Sequence, residues 1–475
     1  MRSVGRRLCA LGALVAALAL ALYVPRAGSP LPECPPELDC RFVPAAYAQT
    51  DPADPDTYGN YDVADRPADG NDIRYIVVHN TEVNYDRAIE LFRNPRKGAA
   101  AHYLVRSSDG QVTQFIPTKD VAFHAGNYWF NTHSIGVEHE GLLAEGDRWY
   151  TDAMYRASAR LVRYLAARYH IPLDREHILG HDELPGLTGK RTAGMHYDPG
   201  PYWDWARYFQ LLGAPLPATP ATRGTPSVLT IAPSFPANSP PLSACAGNNC
   251  ADQPDQGSNA VPLRAAPADD APLVGDTLLH PDGAPGTDKL SDWSARAVAG
   301  QSFAVARRHG EWTGIWFGGR LTWLRDPRSQ VSVMGDPSGP LLTPRPGRAT
   351  IPVYGAAAPE AGAYPEGVPA GAITPLGYTI PAGQVYLGVR RVRSSDYHAR
   401  FAADQNPDGN RRVAGDRELW QISFNHRRVF VDAADVTVAS PGSGPRGWAP
   451  PGWAPAGWAP PAIRLAGPPP ARPDV

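Results

Sequence analysis

Hydrophobic and polar residues follow several distinct patterns along this chain, and each pattern predicts a different element. The run IRYIVVH is largely apolar and β-branched, which is typical of a buried strand. Residues 101–117 alternate on both sides of a Ser-Asp-Gly turn, which predicts a β-hairpin, and HSIGVEHEG predicts a further strand. Residues 152–169 carry apolar side chains at helical spacing, with Thr151 or Asp152 available as the N-cap.

Proline-rich stretches separate these patterned segments. Residues 26–70 and 214–258 lack a sustained period, and we interpret both as linkers. Strands mixed with helices over residues 71–213 indicate one α/β domain. Residues 441–475, which contain RGWAP, PGWAP and AGWAP, are predicted to form a disordered tail rich in proline and tryptophan.

A weak internal repeat occupies the region between the second linker and the tail. The first copy, in residues 259–335, contains VPLR, AGQSFAV and EWTGIWFGGRLTWL. The second, in residues 345–440, contains IPVY, AGQVYLG and ELWQISFNHRRVFV. Short aromatic-rich strands around Gly and Asn turns predict two small all-β barrels.

The charge of the chain and its N-terminus bear on partners and location. A formal net charge of −2, with no long basic run, gives no reason to expect nucleic-acid binding. Residues 1–25 carry three arginines followed by an apolar stretch, which predicts an export signal and a secreted protein. The same stretch is near the lower length limit of a spanning helix, so an uncleaved membrane anchor stays open.

The five cysteines support export. Cys9 lies in the apolar N-terminal stretch, which leaves Cys34 close to Cys40 and Cys245 close to Cys250. In an oxidising compartment this spacing predicts two local disulfides. The alternative is a single four-cysteine zinc site that joins the two pairs.

Candidate chemistry lies in the α/β domain. His79 in RYIVVHNT, His181 in ILGHDE and Asp198 in HYDPG are far apart in sequence. If the fold brings them together, two histidines and a carboxylate can hold zinc and leave its fourth position open for water. That arrangement is typical of hydrolytic zinc sites.

Residues 73–207 resemble the zinc amidase family that includes the phage lysozyme-type amidases and the animal peptidoglycan recognition proteins. The matching runs are IVVHNT, AHYLV, FHAG, SIGVEHEG, GHDE and HYDPGPYWDW, in the order of the family. The resemblance implies a mixed central β-sheet flanked by helices. It also implies hydrolysis of the amide bond between N-acetylmuramic acid and L-alanine in peptidoglycan.

Site roles follow from the resemblance by position. It implies that His79, His181 and Asp198 bind Zn²⁺ and that Glu138 handles the protons of the reaction. Glu140 lies two residues further along the predicted strand, on the same face, so it can also approach the site.

The second catalytic helper is less well defined by position. Many family members carry lysine two residues before the third ligand, where this chain has His196. A histidinium there can stabilise an oxyanion. Lys190, in the longer segment before it, is the alternative helper.

Further residues are expected around the substrate. His124 of FHAG is predicted to line the cleft and contact substrate, and Tyr103 and Thr81 are additional substrate-binding candidates. His102 and His139 alternate with site-facing residues, so we expect them in the core.

The two repeat modules resemble bacterial SH3-like domains through GIWFGGRLTWL and QISFNHRRVFV, which implies attachment of a monomeric enzyme to the cell wall. Generic β modules with core tryptophans are the plainer interpretation. Two further hypotheses stay open. The chain could recognise peptidoglycan without cutting it, or the amidase-like domain could be vestigial beside active C-terminal modules.

Overall fold

The structure is a computed structural model of the chain. It describes residues 31–439 apart from 52, 55–56, 218–227, 248, 328–329 and 336–337. The predicted signal or anchor, residues 1–25, and the predicted tail, residues 441–475, lie outside the described residues. Over the part of the chain that is described, no helix combines the length and apolar character needed to cross a membrane.

A six-stranded mixed sheet forms the centre of the α/β domain, as predicted. The strands of this domain are β1 (Cys40–Phe42), β2 (Tyr61–Asp62), β3 (Tyr75–Asn80), β4 (Tyr103–Val105), β5 (Val112–Gln114), β6 (Val121–Ala122), β7 (Ser134–His139) and β8 (Ile178–Gly180). The order across the sheet is β1-β5-β4-β7-β3-β8, and β2 pairs with β6 separately. Strands β7, β3 and β8 run parallel, whereas β4 and β5 form the predicted antiparallel hairpin.

Helices flank this sheet. They are α1 (Tyr85–Phe92), α2 (Tyr128–His133), α3 (Gly146–Trp149), α4 (Asp152–Tyr169), α5 (Gly189–Ala193) and α6 (Trp205–Leu212). Helix α4 confirms the predicted helix over 152–169, and the Thr151 side chain caps it by accepting a hydrogen bond from Met154 N. Its Leu161 and Leu165 are fully buried in the core between helix and sheet.

The segment before β3 corrects the first predicted linker. Strand β1 pairs in parallel with β5, and Cys34 is bonded to Cys40, so that disulfide is confirmed. Tyr61 and Val63 are buried in a cluster under β4. The described part of residues 26–70 therefore belongs to the α/β domain. Strands of two or three residues between prolines and aspartates leave no period to detect in the sequence.

Strands dominate the described region beyond the α/β domain. They are β9 (Val228–Ile231), β10 (Ser243–Ala246), β11 (Asn249–Asp252), β12 (Ala260–Pro262), β13 (Arg296–Val298), β14 (Ser302–His309), β15 (Trp312–Phe317), β16 (Arg320–Arg325), β17 (Ser332–Gly335), β18 (Leu341–Pro344), β19 (Thr350–Tyr354), β20 (Pro375–Pro381), β21 (Tyr386–His398), β22 (Arg411–Ser423), β23 (Arg428–Asp432) and β24 (Val436–Ala439). The predicted all-β character is confirmed.

The internal repeat is visible in the order of the strands. One sheet has the order β16-β15-β14-β9-β17, and the larger sheet contains the same arrangement as β23-β22-β21-β18-β24. We call residues 228–335 the first β module and residues 341–439 the second β module. Strand β9 lies inside the predicted linker 214–258, so that linker is also corrected. The hairpin β10–β11 in the same segment carries the second predicted disulfide, Cys245–Cys250, which is confirmed.

The second β module packs directly on the α/β domain. The ring of Phe430 lies 4.8 Å from that of Trp129 and 6.1 Å from that of Phe130, measured between centroids. Nearby, the buried Tyr75 hydroxyl donates to Gln421 Oε1 over 2.9 Å. This differs from the separate modules on extended linkers that the composition suggested, because apolar faces that contact each other are buried together.

Buried charges also join both β modules to the α/β domain. Arg175 pairs with Glu183 at 2.6 Å, and Gln301 Nε2 of the first module donates to the other Glu183 oxygen over 3.0 Å. From the second module, Arg428 donates to Arg175 O over 3.0 Å. Buried ions are stable only when they are paired and hydrogen-bonded, so these contacts fix how the modules meet.

Candidate metal centre

Three potential metal ligands meet at one edge of the central sheet. His79 is near the carboxyl end of β3, His181 follows β8 directly, and Asp198 lies in the loop before α6. Neighbouring parallel strands end at the same edge, where ligand sites of α/β sheets form. The ligand atoms of the three buried residues all lie within 4.8 Å of one another. The structure thus brings together the three residues that the sequence singled out.

Asp198 lies between the two histidines. Its Oδ2 atom is 3.3 Å from His79 Nδ1, and its Oδ1 atom is 3.1 Å from His181 Nδ1. Asn80 N donates to Asp198 Oδ2 over 3.1 Å, which orients the carboxylate. Burial alone would raise the pKa of Asp198, but the charge of His181 and the hydrogen bonds from His181 and His196 hold it well below its usual range. Asp198 is therefore ionised at neutral pH.

A hydrogen-bonded relay fixes the tautomer of His79. Ser134 Oγ donates to the carbonyl of Phe130 over 2.6 Å, and that carbonyl can only accept. Ser134 Oγ therefore accepts from His124 Nε2 at 3.1 Å, and His124 Nδ1 accepts from His79 Nε2 at 2.9 Å. This order leaves a lone pair on His79 Nδ1, the atom that faces Asp198.

The donor set fits a divalent cation. A lone pair on His79 Nδ1 and an ionised Asp198 oxygen at 3.3 Å repel each other unless a positive charge lies between them. A proton on His79 does not supply that charge near neutrality, because burial and then His181 lower the pKa of His79 to about 4. A cation held by His79, His181 and Asp198 resolves this conflict.

Glu138 lies beside the three ligands. It pairs with His79 in the parallel register of β7 and β3, so the two side chains share a face of the sheet. Its Oε2 atom is buried and has no hydrogen-bond partner among the described residues. Burial, followed by the charges of Asp198 and Glu82, raises the pKa of Glu138 well above its usual range. A carboxyl group of this kind can exchange protons.

Glu140 has a different role, although it lies on the same strand face by spacing. Its two carboxylate oxygens accept hydrogen bonds from Tyr85 N at 2.9 Å and from Ser107 N at 2.8 Å. Both oxygens thus accept hydrogen bonds from the backbone, and Glu140 joins the start of α1 to the turn after β4. Of the two glutamates, the structure leaves only Glu138 with a buried oxygen free of hydrogen bonds among the described residues.

The two predicted helpers differ in their distance from the ligands. His196 Nδ1 is 3.6 Å from Asp198 Oδ1, and 77% of the His196 side chain is exposed. The hydrogen bond to Asp198 raises the pKa of His196. Lys190 lies exposed on α5, and within the described residues it makes no hydrogen bond or ion pair with the three ligands. The geometry favours His196 over Lys190 as the group next to the metal centre.

The comparisons with known proteins agree with this geometry. Residues 69–201 match the family described as N-acetylmuramoyl-L-alanine amidase. N-acetylmuramoyl-L-alanine amidase A of Achromobacter lyticus is 33% identical over 174 residues, which are 33% of this chain and 90% of that protein. The chain belongs to the N-acetylmuramoyl-L-alanine amidase family. The amidase domain, as we now call the α/β domain, contains the whole family match.

Two further similarities extend over parts of the chain. The 1,6-anhydro-N-acetylmuramyl-L-alanine amidase AmpD of Salmonella typhimurium is 36% identical over 119 residues, which are 24% of this chain and 57% of AmpD. The solution structure of the PlyG catalytic domain is 23% identical and covers 40% of this chain and 100% of that domain, with a TM-score of 0.27.

The predicted substrate-binding residues of the amidase domain lie in three different environments. His124 lines the cleft, but both of its ring nitrogens are engaged by His79 and Ser134. Tyr103 does not face the cleft: its side chain is buried against α4, because strand alternation turns it to that side. Thr81 Oγ1 donates to Val83 O over 2.6 Å and stabilises the turn after β3.

Two histidines expected in the core are there. His102 is fully buried, and its Nδ1 atom accepts from Gly136 N over 3.1 Å. His139 is also fully buried and contacts the carbonyl of His79 through Nδ1 at 2.9 Å. The absence of a side chain at Gly136 also leaves room for the His124 ring, since a Cβ at this position would come within 2.6 Å of it.

Sequence reasoning missed Glu82. This residue follows the IVVHNT run directly, and its Oε1 atom accepts from Leu143 N over 2.7 Å. Burial, partly opposed by that hydrogen bond, raises the pKa of Glu82, and the charge of Asp198 raises it further. The sequence signal for Glu82 was an acidic residue directly after the strand that carries His79. Acidic residues at the ends of strands are too common for this signal to be interpreted alone.

A groove of about 700 Å³ begins at the metal centre. His181, His196 and His124 line its near end. Tyr397 and His398 of the second β module line it as well, although they lie outside residues 69–201. Volumes of this order are typical of sites for small ligands. The groove is therefore built by two parts of the chain.

Proposed function

We propose that this chain is a zinc-dependent N-acetylmuramoyl-L-alanine amidase, which hydrolyses the amide bond between N-acetylmuramic acid and the L-alanine of the stem peptide of peptidoglycan. The observation that carries the proposal is the meeting of His79, His181 and Asp198 beside the unpartnered oxygen of Glu138. Two histidines and a carboxylate are a ligand set that zinc takes in hydrolytic sites.

Zinc, when bound, polarises the scissile carbonyl and lowers the pKa of a bound water to about 7. Glu138 accepts the proton of the attacking water on its free oxygen and returns it to the departing nitrogen of L-alanine. His196 donates a hydrogen bond to the oxyanion that develops on the former carbonyl oxygen. His124 and Ser134 hold the ring of His79 in the tautomer that leaves Nδ1 free to bind.

Metal content tests the ligand assignment. We expect the full chain to bind one zinc ion and His181→Ala to lose most of it, since two of three protein ligands remain. His309→Ala, at an exposed position of the first β module, is the matched control and should keep its zinc. A full equivalent of tightly bound zinc in His181→Ala would contradict the assignment.

Product analysis tests the reaction. The full chain with zinc should release free stem peptides with an N-terminal L-alanine from purified muropeptides, as detected by mass spectrometry. His181→Ala should release none above background, whereas His309→Ala should match the unchanged chain. Release of stem peptides by His181→Ala at the wild-type level would contradict the proposed mechanism.

The alternative is a protein that recognises peptidoglycan without cutting it. It would bind muropeptides tightly as metal-free protein and would show no turnover after zinc is restored. The carboxylate of Asp198 lies close enough to both histidines to share one metal ion with them, which supports catalysis over this alternative.

We also propose that the protein is exported and associates with the cell wall as a monomer, with the β modules acting as SH3-like wall-binding units. Two disulfides support an oxidising compartment. Fractionation should find the protein outside the cytoplasm, and Glu138→Gln should sediment with purified cell walls. Recovery only from the cytoplasm, or no sedimentation, would contradict these two expectations respectively.

A further inference from the structure

The second β module reaches the groove of the amidase domain through the tip of its longest hairpin. Strands β21 and β22 extend from the module, and residues 397–399 at the end of β21 line the groove that starts at His181. These three residues lie far outside the segment 69–201 that matches the amidase family. The family match therefore does not account for this wall of the groove.

Several contacts fix the hairpin tip on the amidase domain. Tyr397 is buried against Ala64 and Val121. Asn410 Nδ2, on the other side of the tip, donates to Val63 O over 2.8 Å and to the Tyr397 hydroxyl over 3.0 Å. A wall held by packing and by hydrogen bonds in this way is preorganised, so a ligand does not have to order it on binding.

The connecting loop adds an aromatic contact beside these hydrogen bonds. The ring of Phe401 lies 5.1 Å from that of Tyr47 and 5.3 Å from that of Tyr58, and Tyr58 itself lines the groove. Ala402 N donates to the Tyr47 hydroxyl over 3.0 Å. Such ring pairs add to the burial of apolar area, so the loop is anchored on both sides of its turn.

Charge indicates which part of the substrate lies along this wall. Cationic or hydrogen-bond-donating side chains line the groove from both parts of the chain: Arg191 and His196 from the amidase domain, and His398 from the hairpin. The acid among the lining residues is Asp62, which is buried and accepts hydrogen bonds from Tyr58 and Tyr128. Stem peptides carry free carboxylates, whereas the glycan strand is made of neutral sugars, so the lining complements the peptide.

We propose that residues 397–399 of the second β module form a wall of the substrate groove and select muropeptides with long, anionic stem peptides. The proposal rests on the proposed amidase function and deepens it. His398 donates a hydrogen bond to a carboxylate of the stem, and Ala399 leaves the space that the stem occupies. The β module is then a part of the active site in addition to any role in wall attachment.

Kinetics with substrates of different stem length test this. In the full chain, His398→Ala should lower the ratio of kcat/KM for muramyl pentapeptide to that for muramyl dipeptide by roughly tenfold, the loss expected for one hydrogen bond to a charged group. Amidation of the pentapeptide carboxylates should remove most of this effect. His309→Ala, the matched histidine on the first module, should leave the ratio unchanged.

A steric variant gives an independent test. Ala399→Trp places a large ring in the groove, so it should lower kcat/KM for the pentapeptide more than for the dipeptide. A thermal unfolding scan of each variant verifies that the chain is folded. If folded His398→Ala and Ala399→Trp both keep the wild-type ratio, the proposal is overturned. It is also overturned if His398→Ala changes the preference for glycan length and not for stem length.

Binding separates this inference from the amidase proposal. Calorimetry with Glu138→Gln, which should bind but not cut, should show about tenfold weaker binding of the pentapeptide when His398→Ala is added. If the unchanged chain cuts no muropeptide but this difference in binding is found, the hydrolase proposal fails and the inference about the wall holds. If the chain cuts muropeptides and the difference in binding is absent, the inference alone fails.

Discussion

His426 of the second β module lies with its Nε2 atom 2.9 Å from Oδ2 of Asp182, the residue that follows the proposed zinc ligand His181. Both side chains are buried. Asp182 N also donates to the carbonyl of Asp198 over 2.8 Å. A residue about 240 positions away in sequence thus supports Asp182, which links the two backbone segments that carry the proposed ligands His181 and Asp198.

Removing this support should destabilise the protein. His426→Ala leaves a buried carboxylate without its partner, and we expect the free energy of unfolding to fall by about 3 kcal/mol. His426→Gln keeps a donor and should cost about 1 kcal/mol. Urea unfolding measures both. Equal stability of His426→Ala and the unchanged chain would show that the contact contributes nothing.

The hydrogen-bonded relay behind His79 predicts that substitutions of two buried serines, Ser134 and Ser158, have different effects on zinc affinity. Ser134→Ala removes the acceptor that orients His124, so zinc affinity should fall by about 10- to 100-fold. Ser158→Ala removes a similar 2.7 Å contact to His139, a core histidine that holds no metal, and should leave zinc affinity unchanged. Competition with a chelator measures both affinities. A similar loss in both variants would indicate a general loss of stability.

Variants of Glu138 in β7 and of Glu140, which follows this strand directly, should separate catalysis from folding. Glu138→Gln removes the proposed proton acceptor, and kcat should fall by about 10²- to 10⁴-fold with zinc content unchanged. Glu140→Gln loses an acceptor for a backbone N–H and should instead lower stability by about 1–2 kcal/mol. Kinetics with muropeptides measure kcat for both variants, and thermal unfolding measures their stability. A larger loss of kcat in a folded Glu140→Gln would reverse the assignment.

Packing across the interface predicts that the amidase domain and the second β module unfold together. Phe430→Ala removes a ring that contacts Trp129 and Phe130, and it should lower stability by about 3–5 kcal/mol. Far-UV and near-UV circular dichroism should give coincident unfolding curves for the unchanged chain. Two separate transitions in the unchanged chain would contradict the interface.

Asp62 predicts a dependence of stability on pH. Burial raises the pKa of Asp62 to about 6, although hydrogen bonds from Tyr128 and Tyr58 oppose the shift. The folded state therefore holds this proton more tightly than the unfolded chain, whose aspartates titrate near pH ~4. The resulting stability is present below pH ~4 and is lost as the pH rises through about 6.

Asp62→Asn cannot titrate, so it serves to measure this effect. Relative to the unchanged chain, the variant should gain about 2–3 kcal/mol of stability between pH ~4 and ~7. Urea unfolding at several pH values gives the difference. A difference that stays constant over this range would show that Asp62 does not titrate as expected.

The sequence by itself determined the features that depend on neighbouring residues. The period of residues 152–169 and the Thr151 cap defined helix α4, because both follow from the geometry of a single helical segment. The short spacing within each pair of cysteines was enough to predict both disulfides. The residue types and motif order around His79, His181 and Asp198 likewise predicted a shared site.

Only the tertiary structure decided what depends on distant residues. Strands β1 and β9 are too short to show a period, and they exist because partners elsewhere in the chain pair with them. Glu138 and Glu140 are two positions apart, so the sequence predicts that both lie on the same face of the strand. Only the surrounding residues show that Glu140 accepts hydrogen bonds from the backbone, whereas Glu138 Oε2 has no hydrogen-bond partner among the described residues. The placement of His398 in the groove depends on packing between segments more than 300 residues apart, and no local pattern encodes such a contact.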